Sequence, residues 1–580
     1  MMFGALVACR PVDDPQISYD PANLAFSGPR ALEIQGEFVG SFPNRASGEI
    51  NNELAAEWVR DQMTDLDWRC AVDEWEVVND SRNLPLQNVL CLLPGQSEQI
   101  ILVVAHHDQS PETVQGADND GSGIAIMLHL AEIFAAEEQL PHSLLFMSSD
   151  GEEYGMLGTR RLVSMEDDLD QIMAAISLDN LGKWFYDGLE MSPIGQFRGY
   201  GPLWLQRLAQ ESARAAGDSW IPQIRAPLFQ ALNQAVPISF MDQGPLVAAG
   251  VPAFGLAATV PADYADLHWE TFHSPGDTME LQSADVLQQA GLATEALIRQ
   301  LNTMTDFPAE RGPYLYDQER DSVLRGLPLW LLFLAFGALF VVASVLTGRK
   351  LPGGFGNALK IALPHFVSLW LPLTGALLIL YIFVEIGLMD SFAVYPAAQK
   401  DPDMINPRWL AVILWLVGFW ELLQLGRRLA GLYMTGRPAP TFAHARSLAL
   451  LIVGLGAFYI AVINPFTLLL IVPLLLWLLI GGRSGLGRVL DWLLFLAGGL
   501  IIYLLVHVFG FQVLRIDLAI LWYLMMMFSI QMVSFPTGAI IAAMLAAGLS
   551  LVVKPAIGRR RTEARKAAAE ATPSTDPAAS

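Results

Sequence analysis

The stretch IILVVAHHD at residues 100–108 decides how the first half of the chain folds. Its first six residues are apolar and largely β-branched, which predicts a buried strand. His106, His107 and Asp108 follow that strand at once, so three side chains that can bind a metal ion or a proton lie at its carboxyl end.

Similar runs recur on both sides of this stretch. Further strands are expected at 75–78, 88–93, 143–147, 174–178 and 252–256, with amphipathic helices at 46–66 and 122–136. Ile50, Leu54, Trp58, Met63 and Leu66 mark the expected apolar face of the first helix. Strands that alternate with helices predict an α/β sandwich with a mostly parallel central sheet.

Polar side chains follow several of these strands. Glu152 and Glu153 come after 143–147, Asp179 comes after 174–178, and the loop beyond 252–256 leads to His273. Because reactive groups in open α/β sheets gather at the carboxyl ends of the strands, we expect these residues to converge with His106 at one edge.

The donor types favour zinc, which takes imidazole nitrogen and carboxylate oxygen from proteins. Asp108 is close enough to His106 to accept its other ring N–H. Glu152 adjoins a ligand and can act as the base toward water. Taken singly, each residue has a simpler interpretation, such as a solvated acidic pair or a helix cap. Their order and placement together predict a hydrolase with one or two zinc ions.

The same residues resemble the di-zinc metallopeptidases of family 28, to which bacterial leucyl aminopeptidase and glutamate carboxypeptidase II belong. The matching stretches are AHHDQS (105–110), GADNDGSG (116–123), SSDGEEYGMLGT (148–159), ISLDNLG (176–182) and FHSPGDT (272–278). The resemblance covers roughly residues 40–300. It implies a zinc-exopeptidase fold, with His106 and Asp179 on one zinc ion and Glu153 and His273 on the other. Glu152 would be the general base, and Asp108 would orient His106.

One position departs from the family pattern. The aspartate that bridges the two metal ions in the family corresponds to Asn119, which lies between Asp118 and Asp120. A neutral amide is a poor bridge between two cations. Either Asp118 or Asp120 takes the bridging place through a shift of the loop, or one metal site is weakened.

The second half of the chain has the composition of a membrane domain. Residues 1–325 hold 48 acidic and 17 basic side chains, a net charge of −31, whereas residues 326–580 hold 10 and 18, a net of +8. The acidic first part makes nucleic acid an unsuitable partner. Long apolar runs predict about eight membrane helices, at 326–346, 361–388, 408–425, 446–463, 466–481, 490–509, 516–534 and 536–553.

Basic residues in the short loops indicate the orientation. The loops 347–360, 426–446 and 482–488 carry Lys or Arg and no acid, whereas 389–407 carries three acids and one lysine. Because basic loops stay in the cytoplasm, the first part is expected on the extracytoplasmic side. Eight spans would place the C-terminal tail outside, which conflicts with its basic start. Ionisable residues in or near the spans are Glu385, Glu421, Asp491 and His507.

We therefore expect an N-terminal lead-in at 1–39, a peptidase domain at 40–303, a linker at 304–325, an all-α multispanning membrane domain at 326–553 and a disordered tail at 554–580. The region 10–45 is expected to be irregular. Leu6–Cys9 resembles a truncated lipoprotein signal, with a chance apolar start as the alternative. Cys70 and Cys91 could form a disulfide outside the cytoplasm.

The arrangement of a peptidase domain before membrane helices resembles the endoplasmic reticulum metallopeptidase. The predicted function is a membrane-bound zinc exopeptidase, foremost an aminopeptidase, with peptides as substrates and the lipid bilayer as a partner. A carboxypeptidase or a glutaminyl cyclase on the same fold is the first alternative. A catalytically inactive receptor or scaffold is the second, for which Asn119 argues.

Overall fold

The computed structural model describes residues 10–11, 14–79, 82–165, 169–217, 219–310, 312–389, 408–433, 438–468 and 534–553, and the single positions 478, 489, 493, 496, 522, 525 and 528. These residues belong to two compact units, which divide between Leu329 and Trp330.

Two sheets form the strand framework of the first unit. The strands are β1 Arg10–Pro11, β2 Arg69–Asn79, β3 Arg82–Leu93, β4 Ser97–His106, β5 His142–Ser149, β6 Ile172–Leu178, β7 Leu189–Ser192, β8 Ala253–Ala258, β9 Tyr314–Asp317 and β10 Ser322–Arg325. The larger sheet has seven strands in the order β2-β3-β5-β4-β6-β8-β7, and the smaller has the order β1-β10-β9.

The central strands of the larger sheet are parallel. β5, β4, β6 and β8 run in one direction, whereas β3 and β7 pair antiparallel to their neighbours. β2 is antiparallel to β3 and so runs with the central four. Five of the seven strands therefore share a direction, and the predicted mostly parallel sheet is confirmed.

Helices surround this sheet. They are α1 Gly28–Ser41, α2 Ile50–Thr64, α3 Gly121–Ala135, α4 Leu157–Met165, α5 Leu203–Ala216, α6 Pro227–Ala235, α7 Gln243–Ala249, α8 Ala265–Thr271 and α9 Ala284–Asn302. α1, α3 and α9 pack against one another, and α4 packs against α7. The predicted α/β sandwich is thus observed.

Strand β4 contains most of the stretch 100–108 and lies in the middle of the larger sheet. Side chains alternate between the two faces of a strand. Ile101 and Val103 join one apolar cluster, while Leu102 and Val104 join the other, and all four are fully buried. Each face of β4 therefore lies in a packed core. Burial of this kind stabilises the folded state by roughly 25 cal/mol for each Å² of apolar surface removed from water.

The expectation of an irregular lead-in over 10–45 was wrong. Residues 28–41 form α1, which begins after Ser27, whose side chain accepts a hydrogen bond from the Arg30 backbone N–H. Ala31, Ile34 and Phe38 are spaced by three and four residues and are buried in the core of the first unit. The Pro- and Asp-rich composition before α1 hid this periodicity.

Two further expectations need correction. In α2 the buried face is formed by Ala55, Val59 and Met63, whereas Ile50 and Leu54 are exposed. The expected linker 304–325 contains strands β9 and β10, whose residues Tyr314 and Tyr316 are buried. Two side chains of α6 hold these strands by hydrogen bonds. Gln234 bonds to the backbone of Tyr314, and Gln230 bonds to the backbone of Tyr316.

Cys70 and Cys91 are joined by a disulfide between β2 and β3. The two cysteines lie directly opposite each other in the antiparallel register of these strands. The pairing suggested by the sequence is therefore present in the structure.

The second unit is helical. Its helices are α10 Leu327–Arg349, α11 Gly354–Glu385, α12 Trp409–Tyr433, α13 Phe442–Ile463 and α14 Phe535–Val552. Among the described residues, α10 to α13 are long and apolar enough to cross a membrane. They correspond to the first four predicted spans, and α14 corresponds to the last.

Other predictions concern positions that the structure does not describe. Most residues of the predicted spans 466–481, 490–509 and 516–534 lie outside the described residues, as do Cys9, Asp491, His507 and the tail 554–580. Of the other two ionisable residues, Glu385 is the last residue of α11 and Glu421 lies within α12. The domain boundaries drawn from the sequence stay predictions.

Candidate metal centre

The carboxyl ends of the parallel strands bring the predicted residues together. His106 is the last residue of β4, Glu152 and Glu153 follow β5, and Asp179 comes directly after β6. His273 arrives from the loop after α8. All five side chains are buried, with 1% to 7% of their residue surface exposed.

His106 lies at the centre of one half of the group. Its Nδ1 lies 3.2 Å from Oδ1 of Asp108. Its Nε2 lies 3.9 Å from Oε2 of Glu152 and 3.9 Å from Oδ1 of Asp179. The ring is therefore held on one side by Asp108, while the other nitrogen faces the two carboxylates.

His273 and Glu153 form the other half. Nε2 of His273 lies 3.1 Å from Oε1 of Glu153. The backbone of His273 has a φ of 47°, and that of Asn180, next to Asp179, has a φ of 58°. Left-handed backbone at residues other than glycine is uncommon and often marks functional sites.

Asn119 lies between the two halves. Its Oδ1 lies 2.9 Å from Nε2 of His106. Its Nδ2 donates to Oε1 of Glu153 at 2.7 Å and lies 2.8 Å from Nε2 of His273. Of the three candidates that the sequence left open, Asn119 is the one whose side chain contacts both halves.

The carboxylates of Asp118 and Asp120 point elsewhere. Asp120 accepts from the backbone N–H of Gly123 at 2.9 Å and caps α3, and it also accepts from the backbone N–H of His106 at 3.2 Å. Asp118 accepts from the backbone N–H of Gly182 and from the hydroxyl of Tyr186. The loop therefore keeps the register in which residue 119 is central.

Asp108 supports both halves from behind. Besides facing His106, its carboxylate accepts from the backbone N–H groups of Glu152 and Glu153, each at 3.2 Å. The hydroxyl of Ser47 donates to it at 3.3 Å. One buried carboxylate thus fixes a histidine ring and the turn that carries the two glutamates.

Burial and mutual repulsion act on the acids of the centre. Burial, and then the carboxylates of Asp179 and Glu153, raise the pKa of Glu152 well above its ordinary value. Burial also raises the pKa of Asp179, against the opposing effect of the nearby His106 ring. Crowded buried carboxylates are costly unless a cation or a proton compensates them.

A zinc ion fits this donor set. Two ligands at about 2.0–2.2 Å from one zinc ion lie at most about 4.4 Å apart. The separations of 3.9 Å around His106 and 3.1 Å between His273 and Glu153 satisfy that limit. Ligand atoms of His106, Glu152 and Glu153 also lie within 4.8 Å of one another.

The sequence did not reveal the charged network behind Asn119. Lys183 is fully buried, with its Nζ 3.4 Å from Oδ2 of Asp118 and 3.6 Å from Oδ1 of Asp277. Asp277 accepts from the backbone N–H groups of Asp118 and Asn119. This network holds the loop that presents Asn119. A lysine in a Gly-Lys-Trp sequence carries no signal of burial, because lysine is mostly exposed.

Curated proteins with similar sequences match only part of the chain. The alkaline phosphatase isozyme conversion protein of Escherichia coli K12 is 26% identical over 164 residues, which cover 24% of this chain and 47% of that protein. The BOS complex subunit ncln of Danio rerio is 33% identical over 119 residues, 19% of each. A probable leucine aminopeptidase of Arthroderma otae is 29% identical over 129 residues, 20% of this chain and 36% of that protein. The chain thus spans less than half the length of these relatives.

Two solved structures are similar to about half of this chain. A zinc aminopeptidase from Bacillus subtilis has 14% identity and a TM-score of 0.40, covering 48% of this chain and 96% of that one. A glutaminyl cyclase from Porphyromonas gingivalis has 18% identity and a TM-score of 0.41, covering 48% and 99%.

The family match covers the central strands of the larger sheet and the candidate metal ligands. Residues 88–298 match the family described as Peptidase family M28. This range contains β4 to β8 and all the candidate ligands from His106 to His273. The resemblance expected from the sequence motifs is confirmed, because residues 88–298 of this chain match the domain of peptidase family M28.

Proposed function

We propose that the first unit is a zinc-dependent exopeptidase, an aminopeptidase that removes N-terminal residues from peptides. The observation that carries the proposal is the convergence of buried His106, Glu152, Glu153, Asp179 and His273 at one edge of the sheet. Imidazole and carboxylate groups brought together away from solvent are the donor set of a catalytic zinc site.

The side chains with the chemistry of zinc ligands lie on the two sides of Asn119. His106 and Asp179 lie on one side, and Glu153 and His273 lie on the other. When bound, zinc polarises the scissile carbonyl and makes a water molecule a better nucleophile at neutral pH.

Glu152 is the proposed general base. Its carboxylate lies 3.9 Å from the His106 nitrogen that faces the centre, and its backbone N–H is held by Asp108. A carboxylate in this position takes a proton from the attacking water and returns it to the leaving amine. Glu153, the next residue, contacts Asn119 and His273 instead.

The proposed preference for peptides with a free N-terminus rests on the opposite charges of the peptide amine and the centre. The N-terminal amine of a peptide is a cation, and the centre is built from buried acids on an acidic part of the chain. The similarity to a probable leucine aminopeptidase agrees with this choice. A carboxypeptidase or a glutaminyl cyclase on the same fold is the alternative, and it would use the same residues.

We also propose that the protein is a multispanning membrane protein with the peptidase domain on the extracytoplasmic side. The four long apolar helices support membrane insertion. The basic loops that flank them support the orientation. The Cys70–Cys91 disulfide supports it as well, because disulfides persist in oxidising compartments.

A second candidate is an inactive receptor or scaffold. Asn119 at the centre of the site and the similarity to a BOS complex subunit favour it. The retained His106, Glu152, Glu153, Asp179 and His273 favour the enzyme, because a scaffold has no need of a crowded buried acid cluster.

Peptide digestion followed by mass spectrometry tests the proposal. The full chain in detergent, loaded with zinc, would be incubated with four peptides: unblocked, N-acetylated, C-terminally amidated, and one with N-terminal glutamine. An aminopeptidase shortens all but the acetylated peptide from the N-terminus. Removal of C-terminal residues from the acetylated peptide would indicate a carboxypeptidase. Loss of ammonia without cleavage would indicate a cyclase, and no change at any zinc concentration would indicate the scaffold.

A further inference from the structure

We infer that this centre holds one zinc ion, on the His106–Asp179 side, because the Asn119 amide occupies the other side with its NH2 group. The inference rests on the proposed zinc chemistry and concerns the number and place of the ions. An aspartate at position 119 would offer an oxygen to both sides, whereas an asparagine offers one oxygen and one NH2 group.

The hydrogen-bond network fixes which way the amide points. Glu153 is only an acceptor when ionised, and its Oε1 lies 2.7 Å from Nδ2 of Asn119. If the amide were turned over, two oxygen atoms would face each other at that distance. The NH2 group therefore belongs on the Glu153 side, and Oδ1 faces His106.

The oxygen side is suited to a cation. Nδ1 of His106 faces the Asp108 carboxylate, which holds the ring with Nε2 directed at the centre. That nitrogen lies 2.9 Å from Oδ1 of Asn119 and 3.9 Å from Oδ1 of Asp179. A ring nitrogen, an amide oxygen and a carboxylate oxygen thus face one another, and all three atom types are ligands that a cation accepts.

The NH2 side is closed to a cation. Nδ2 of Asn119 lies 2.7 Å from Glu153 and 2.8 Å from His273, whose own ligand atoms are 3.1 Å apart. An amide NH2 group has only donors and no lone pair for a metal ion. It fills the position between the two side chains and satisfies them by hydrogen bonding, so Glu153 and His273 act as positioning residues for Asn119.

The neighbouring aspartates cannot take over the bridge. Asp118 is the partner of buried Lys183, and moving its carboxylate would leave a charged ammonium underpaired in the core. Removing one partner of a buried ion pair is strongly destabilising. Asp120 caps α3 through Gly123. Loss of such a cap destabilises the helix.

Zinc counting on the full chain in detergent tests the inference. Elemental analysis after equilibration with zinc and removal of the excess should give one ion per chain for the natural sequence. Asn119→Asp should give two, since the new carboxylate can face both sides. Asn357→Asp, which makes the same change at an exposed position of the second unit, should leave the count at one.

Ligand variants show which side holds the ion. In the natural background, Asp179→Ala should lose the ion and His273→Ala should keep it. In the Asn119→Asp background, His273→Ala should lose one of two ions. The rise in unfolding temperature that zinc causes should be measured for each variant. It should differ from that of the natural protein only in variants that bind a different number of zinc ions.

The contrary outcomes are distinct. Two ions in the natural protein, or loss of the only ion in His273→Ala with retention in Asp179→Ala, would overturn the one-ion inference and leave the proposed enzyme intact. No zinc in the natural protein, with zinc present in Asn119→Asp, would overturn the proposed enzyme itself and favour the scaffold.

Discussion

Oδ1 of Asp108 lies 3.2 Å from Nδ1 of His106, and the same carboxylate accepts the backbone N–H groups of Glu152 and Glu153. The carboxyl group therefore links the strand β4, which carries the histidine, to the turn after β5, which carries the glutamates. Both Asp108 and His106 are buried, so water cannot replace this contact.

Asp108→Ala should weaken zinc binding about 10- to 100-fold, which is the usual effect of losing the group behind a ligating histidine. Competition with a chelator on the full chain measures the change. Asp61→Ala, whose side chain is exposed, is the matched control and should bind zinc normally. Unchanged affinity in Asp108→Ala would show that the carboxylate does not orient His106 toward a metal ion.

Lys183→Met should destabilise the first unit strongly, because it leaves Asp118 and Asp277 buried without their cation. The expected cost is about 3–5 kcal/mol. Arg30→Met removes a base from the exposed pair with Glu132 and should cost at most about 1 kcal/mol. Unfolding followed by tryptophan fluorescence compares the two variants, and equal losses would contradict the structural role given to Lys183.

His268 should contribute to sensitivity toward acid. Burial, and then the Lys183 ammonium, lower the pKa of His268 from 6.5 to about 4. Because the folded state favours the neutral ring, its stabilising effect is complete above the unfolded pKa of 6.5 and is lost as the pH falls toward 4. At about 1.4 kcal/mol per pKa unit, the loss by about pH 4.5 is about 2–3 kcal/mol.

His268→Phe keeps an aromatic ring against Phe272 and removes the titration. Between neutral pH and about pH 4.5 the variant should lose less stability than the natural protein. Asp277 acts in the opposite direction, since burial raises its pKa to about 6, but it is present in both proteins. Identical pH profiles of unfolding would contradict the predicted role of His268.

Cys70 and Cys91 should be unreactive toward a thiol reagent added to denatured, unreduced protein, because they are joined by a disulfide. After reduction both should react. Peptide mass spectrometry on protein taken directly from membranes follows each cysteine separately. Reaction of both before reduction would argue against the extracytoplasmic location, since the two thiols face each other in the strand register and would oxidise there.

The sequence predicts those parts of the fold in which the local pattern of apolar residues matches the side chains that are buried. The run 100–105 is apolar throughout because both faces of β4 lie in cores, and it predicts the strand and the position of His106. The helix α1 was missed because its apolar residues follow a stretch rich in proline and aspartate. The face of α2 was predicted correctly at Met63 but wrongly at Ile50 and Leu54, which are exposed, because much of its buried side is built from alanine and valine.

In the candidate site, too, some residues could be predicted from the sequence and others required the structure. Residues that end strands were identified from the sequence, since the sheet brings strand ends together. The choice among Asp118, Asn119 and Asp120 required the structure, because three consecutive polar residues point in directions that only their partners reveal. The partner of Asp118, Lys183, is 65 positions away and no motif marks it.

The turnover of Glu152→Gln tests the proposed enzyme most directly. Glutamine keeps the size of the side chain and its place beside His106 but cannot take a proton. We predict that kcat on an unblocked peptide falls about 10²- to 10⁴-fold while zinc content and unfolding temperature stay those of the natural protein. Undiminished turnover in a variant that retains its zinc would contradict the account, because Glu152 would then not be the base of this centre.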